Sequence, residues 1–309
     1  MTAPRASILI VEHATAAHLP ACLGSVLASE APPGSFEVLV LDNDSPTPID
    51  HLRAAFPSAR FFRARRNLGF AGGCGALLAE AGGEIVITVN PDCVVAPDWL
   101  ARILEVFDDD PKAGVVGCKI LHPGTTILQH AGGVLFPNGR SEHRGRGEDD
   151  IGQFDELAEV DYVCGAAIAV RRRVIDEVGF LAPEYFPAYF EETELCVRAR
   201  RAGWRVLYAP RAVVEHHEAV ASGGARSRAY LRRYHESRMK FVYRNYGLGR
   251  LVREFVPTEA AWLLSGVMPR DERWLCARAY AAALLGAWDP RAGTAAPGEV
   301  TPAGEETSP

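Results

Sequence analysis

From Ser7 to Phe107 short apolar, β-branched runs alternate with helical stretches. Ser7 to Val11, Phe36 to Leu41, Ala59 to Phe62 and Glu84 to Val89 have the length and composition of buried strands. Between them, His18 to Ala28 turns Leu19, Leu23, Val26 and Leu27 to one helical face. Ile49 to Phe56 reads as a short helix, Ala76 to Glu80 as another, and Pro97 to Phe107 as a third with Asp98 in its first turn. This alternation predicts an α/β fold, a parallel sheet covered by helices on both faces. Ligands in such sheets gather at the carboxyl ends of the strands. The polar turns at Asp42, at Asn67 and at Asn90 to Asp92 all fall there.

The pattern then changes. Val115 to Leu121 and Thr126 to Phe136 read as strands, Pro137 to Asp155 as a mobile, polar loop, and Asp161 to Val170 as a small-residue strand. Arg172 to Val178 is a helix ended by Gly179. Ala188 to Trp204 carries three acids, Glu191, Glu192 and Glu194, where a helix begins, which suits the positive end of its dipole. Glu194 and Arg198 have the spacing of an ion pair on one helix face, and Gly203 ends the segment. Val206 to Ala209 and Val213 to Glu218 are strand-like, Ser222 to Ala225 is a break, and Tyr230 to Tyr246 is a basic, aromatic helix. Glu259 to Trp288 holds two more helices. These shifts divide the chain into an α/β domain over 1–224, a helical segment over 225–290 and a disordered tail over 291–309.

Composition narrows the partners. A formal net charge of -6 argues against general nucleic-acid binding, which needs a basic excess. The seven cysteines are scattered without zinc or redox spacing, so reduced, buried thiols and a cytoplasmic protein are expected. No apolar run reaches the roughly 20 residues that span a bilayer. Tyr230 to Tyr246 suits packing on the α/β domain first and contact with a membrane surface second.

Three clusters bear on chemistry. Asn90 and Asp92, two apart at a strand end, can face one hard divalent cation, although the same residues commonly cap their own turn. His216 and His217 are adjacent on a strand, so one of them at most looks into a site. The glycines after Asn67 permit close backbone approach, but they match neither a Walker loop nor a dinucleotide fingerprint.

In order and spacing these motifs resemble family 2 glycosyltransferases, in particular the bacterial rhamnosyltransferase-like branch. The matching residues are Leu39 to Ser45, Arg66 to Gly73, Val89 to Asp92, Cys164 to Ala166, Tyr189 to Leu195, Ala202 to Trp204 and Pro210 to His217. The resemblance implies a GT-A fold, a Rossmann-like mixed sheet flanked by helices, here with a C-terminal helical appendage. It also implies an inverting transferase dependent on Mg²⁺ or Mn²⁺. Asp92 and His216 would hold the ion, and Asp42, Asn67, Gly69, Gly73 and Asn90 would bind the donor. Glu192 would be the catalytic base, with Glu191 as its alternate. Its donor would be a dTDP-, UDP- or GDP-sugar, and its acceptor a glycan, a lipid-linked sugar or a small molecule. The expected setting is the cytoplasm, with contact at the inner membrane face and a homodimer both compatible. Where the family has Tyr-Asn after the first strand this chain has His13-Ala14, and Glu192 stands for the usual Asp. Those departures motivate an alternative, a non-catalytic nucleotide-sugar or glycan-binding relative.

Overall fold

The computed structural model describes residues 3–31, 35–218, 227–285, 293–296 and 299–303. Its centre is a mixed sheet built on β1 (Ala6–Glu12), β2 (Phe36–Asp42), β3 (Ala59–Ala64) and β4 (Ile85–Val89), which lie parallel. β1 is buried along its whole length. Its side chains alternate between two cores, Ile8 and Ile10 on one face, Leu9 and Val11 on the other. The first face is covered by α1 (Leu19–Leu27) and, beyond α2 (Leu52–Ala55), by α4 (Trp99–Asp109). The second is covered by α3 (Gly69–Leu78), α5 (Arg172–Val178) and α6 (Glu191–Arg201).

Beyond β4 the sheet becomes mixed. β5 (Cys93–Val95) pairs with the last long strand, β12 (Arg205–His216). β6 (Ala113–Leu121) lies parallel to β12, and β11 (Ala167–Arg171) runs antiparallel between β4 and β6. The order β10 (Ala158–Glu159), β12, β6, β11, β4, β1, β2, β3 ends on β13 (Val300–Pro302). β12 takes up both runs expected at Val206 and Val213, joined across a register shift between Ala209 and Val213. The strand expected over 126–136 breaks into β7 (Leu128–His130) and β8 (Gly133–Leu135), because Gly132 takes a φ of +90°.

Other expectations are corrected. The glycine run after Asn67 is itself the start of α3 and not a loop before it. Its lack of side chains lets the helix lie close on the sheet, where a Cβ at Gly73 would stand 2.7 Å from Val11 Cγ1. Pro137 to Asp155 is not a free loop. It contains β9 (Ser141–His143), paired with β8, and buried Lys119 holds Asp150 at 2.7 Å and Asp155 at 2.5 Å. The tail expected to be disordered contributes β13, antiparallel to β3, while 291–292, 297–298 and 304–309 lie outside the described residues. So does the break expected at Ser222 to Ala225.

The C-terminal helices α7 (Arg228–Asn245), α8 (Leu248–Arg250), α9 (Val256–Leu264) and α10 (Arg270–Leu284) follow, with a π turn over Leu251–Phe255. α7 packs Phe241, Val242 and Met239 on Tyr185 and Phe190, just ahead of α6. The Glu194–Arg198 pair does not form. Arg198 donates to the carbonyls of Val178, Gly179 and Phe180, beyond the end of α5, and Glu194 accepts from Arg244 Nε at 2.9 Å and Asn245 Nδ2 at 3.0 Å. No helix of the described residues is long and apolar enough to cross a membrane.

Candidate active site

The carboxyl ends of β1, β4 and β12 and the start of α6 surround a cavity of about 400 Å³. Its acidic wall is set by an unusual backbone. Tyr189 and Phe190 have φ of +86° and +75°, a left-handed conformation that costs on the order of 1–3 kcal/mol each in a non-glycine residue. Phe190 is held there by burial against Tyr234 and Phe241. The sharp entry places Glu191 and Glu192 in the first turn of α6, both lining the cavity.

The two carboxylates differ. Glu191 is 3% exposed and its Oε2 has no hydrogen-bond partner. Glu192 is half-buried, and its Oε1 accepts from Thr193 Oγ1 at 3.1 Å. Burial, and then the neighbouring Glu192 charge, pushes the Glu191 carboxyl well above the usual range; burial raises Glu192 as well. Glu191, the more deeply buried of the two, is therefore pushed harder toward its neutral form than Glu192.

Opposite lies a cation-type corner. His216 Nε2 is 3.3 Å from Asp92 Oδ1, and both residues are buried. His216 Nδ1 lies 3.1 Å from Gln129 Oε1, and Gln129 Nε2 donates to the His216 carbonyl. That amide holds the ring so that Nε2 faces Asp92. Asp92, Cys93 and His216 bring their ligand atoms within 4.8 Å of one another. Cys93 is the weak member, because burial and then Asp92 push its thiol well up and its Sγ points to the Ala166 carbonyl at 3.5 Å. His217 is exposed, sets its ring 4.7 Å from that of His18 at a tilt of 47°, and donates its backbone N–H to the Asp92 carbonyl at 3.1 Å. Strand alternation therefore sends one of the two histidines inward, as expected.

Of the donor-type residues, Asn67, Gly69 and Asn90 line the cavity. Asn67 Oδ1 accepts from the Gly69 N–H at 2.7 Å, and Gly69 has φ +70°. A Cβ on Gly69 would stand 2.8 Å from the Pro187 carbonyl, the same oxygen that accepts from the Phe70 N–H. Asp42 and Gly73 are not among the lining residues. Asp42 Oδ1 accepts from Ser45 N at 2.9 Å, inside its own turn, and Gly73 packs on Val11. Asn43 lines the cavity in place of Asp42. It receives the Leu68 N–H at 2.9 Å and donates to the Gly69 carbonyl at 3.2 Å, which joins the β2 turn to the glycine helix. His13 Nδ1, 3.1 Å from the Asn43 carbonyl, continues the same wall.

Four lining residues come from segments without a sequence motif: His143 and Arg146 beside β9, and Tyr230 and Arg233 on α7. Arg146 makes two contacts to Glu218, at 2.7 and 2.9 Å. Burial, followed by the Arg146 charge, pushes His143 down to about 4, so its ring is neutral. Their only sequence signal was the basic and aromatic character of the segments that carry them.

A parallel half-sheet, an antiparallel β11 and a carboxylate–imidazole corner at the strand ends define the GT-A class of nucleotide-diphospho-sugar transferases. A mannosyltransferase from Pyrobaculum calidifontis, solved with GDP-Man and Mn²⁺, shares that fold. It has a TM-score of 0.58 and 19% identity, over 96% of this chain and 78% of its own. The family model for glycosyl transferase family 2 matches residues 7–179, and the chain belongs to that family. It is a glycosyltransferase. Among relatives, an N-acetylglucosaminyl-diphospho-decaprenol L-rhamnosyltransferase of Mycobacterium tuberculosis is 28% identical over 268 residues, 76% of this chain and 83% of its own. An uncharacterised protein of Sinorhizobium fredii is 31% identical over 202 residues, 62% of this chain, but the match spans 22% of that protein's length.

Proposed function

We propose that this glycosyltransferase is inverting and metal-dependent. It moves a hexose, rhamnose being the first candidate, from a dTDP-, UDP- or GDP-sugar to a hydroxyl of a lipid-linked sugar or other glycan at the cytoplasmic face of a membrane. The observation that carries this reading is the convergence of Glu192 and the Asp92–His216 corner on one cavity. The decaprenol-linked acceptor in the mycobacterial relative's name supports the lipid-linked acceptor.

The donor set fits a divalent cation such as Mg²⁺ or Mn²⁺. It offers an Asp92 carboxylate oxygen and the His216 Nε2, with Asn90 lining the same cavity. When bound, such an ion offsets charge on the departing diphosphate. Asn43, Asn67 and the Gly69 backbone form the donor wall. Glu192 takes the proton of the acceptor hydroxyl as its oxygen attacks the anomeric carbon, general-base help worth about 10²–10⁴-fold. Attack and departure on opposite faces in one displacement invert that carbon. Glu191, pushed toward its neutral form by burial and then by Glu192, keeps the wall from carrying two charges. The test is incubation with Mg²⁺ or Mn²⁺ and a panel of nucleotide sugars, read as nucleoside diphosphate release. No turnover and no thermal shift with any nucleotide would overturn the reading.

A further inference from the structure

Large hydrophobic side chains exposed among the described residues are concentrated in one segment. Val134, Ile151 and Leu157 lie elsewhere, and the other eight fall between Tyr243 and Leu285. Leu248, Val252, Val256, Ala260 and Leu264 recur every fourth position along the continuous run of α8, the π turn and α9, and each is exposed. On a pure α-helix such a row drifts around the axis, because four residues overshoot a turn of about 3.6. The wider π turn over Leu251–Phe255 counters that drift and keeps the row on one side. Leu248 is 77% and Leu264 85% exposed, values at which a soluble helix normally carries polar residues.

The surrounding charge names the occupant. Every carboxylate described on this segment is engaged, Glu254 by Arg250, Glu259 by Arg238 and Glu272 by His235. Arg253 and Arg273 are exposed and have no carboxylate partner among the described residues, and Arg278 lies 5.0 Å over the exposed Trp274 ring. The chain as a whole is acidic, so this basic rim is local. We propose that the 248–264 face docks on the surface of an anionic phospholipid bilayer, with Leu248, Val252, Val256 and Leu264 in the acyl boundary and Arg253 at the phosphates. A two-fold contact with a second copy would set the same arginines against each other. The proposal extends the reading of a lipid-linked acceptor, since α7 carries cavity residues at one end and leads into the docking face at the other.

The test is flotation of the full chain with vesicles of phosphatidylcholine alone or with added phosphatidylglycerol, without donor or acceptor. Binding should appear with the anionic vesicles and weaken in salt. The V252E/V256E double variant should lose it by about tenfold or more, with its melting temperature and its transfer to a water-soluble acceptor unchanged. R253E should lower the preference for anionic vesicles. Flotation that is absent, or equal in wild type and V252E/V256E, overturns the proposal. So does a dimer in sedimentation equilibrium that V252E/V256E dissociates without any vesicle binding. Because no sugar is present, failure here leaves the transfer reaction standing, and failure of the transfer assay leaves docking standing.

Discussion

Depth of burial distinguishes two adjacent glutamates. Glu191 is buried and pushed toward its neutral form, and Glu192 is the more open of the two to the cavity. Glu192→Gln should therefore lower kcat by about 10²-fold or more, with nucleotide-sugar binding retained, whereas Glu191→Gln should be far milder. A base works deprotonated, and burial raises the pKa of Glu192. The acid limb of kcat/KM should thus stand above the ordinary carboxylate range, and it should be absent from the residual Glu192→Gln activity. A limb unchanged by that substitution would move the base elsewhere. At the opposite wall, Gln129 orients His216 through both of its amide atoms. Gln129→Leu should weaken Mn²⁺ binding about 10–100-fold in a titration with nucleoside diphosphate, and Asp92→Ala should weaken it further. An unchanged titration would remove His216 as a ligand.

Among the elements, α6 is held from both ends of its first turn. The left-handed Tyr189–Phe190 pair aims Glu192, and Arg244 and Asn245 of α7 secure Glu194. α7 is fastened in turn by a buried pair: Arg238 Nη1 and Nη2 reach Glu259 Oε2 and Oε1 at 2.9 and 2.7 Å. Asn138 Nδ2 donates to the same carboxylate at 2.7 Å, tying in the β8–β9 turn. Burial alone would raise the Glu259 carboxyl, but the Arg238 hydrogen bond and charge hold it below its ordinary range. A folded-state pKa below the unfolded one contributes stability above the ordinary carboxylate range and loses it as pH falls through the lowered value. Glu259→Gln strands Arg238 in a dry site and should cost about 3–5 kcal/mol at neutral pH. The gap from wild type should narrow in acid, as read by denaturant melts. A pH-independent gap would assign the loss to packing instead.

At the scale of the molecule, one sheet joins the donor-type turns at one edge to the imidazole corner at the other, and segments distant in sequence close the cavity. The C-terminal tail returns to the first edge. β13 pairs with β3, Arg66 bonds Glu299, and Gly293 lies against α3. A Cβ at Gly72 would stand 1.9 Å from the Gly293 carbonyl. Gly72→Ala should therefore displace the tail and speed hydrogen exchange at the Arg65 and Ala303 amides, which bond the Glu299 and Phe61 carbonyls. Exchange in β1 should not change. Unaltered exchange at Arg65 and Ala303 would show that the tail contact adjusts around the methyl.

Apolar runs and helical spacing determined the strands from Ser7 to Val89, the two-sided core and the acid-first helix, because those patterns arise from local periodicity and burial. Strand alternation also determined that one of two adjacent histidines would face inward. Tertiary structure decided what depends on which segments meet. Glu194 and Arg198 had the right spacing for each other, yet Arg198 met the carbonyls beyond α5 and Glu194 met Arg244, fifty residues on. Asp42 was turned into its own loop and Asn43 into the cavity. His143, Arg146, Tyr230 and Arg233 became lining residues through contacts between segments, which no local pattern encodes. Periodicity specifies the face a side chain presents; only the packed chain specifies what stands opposite that face.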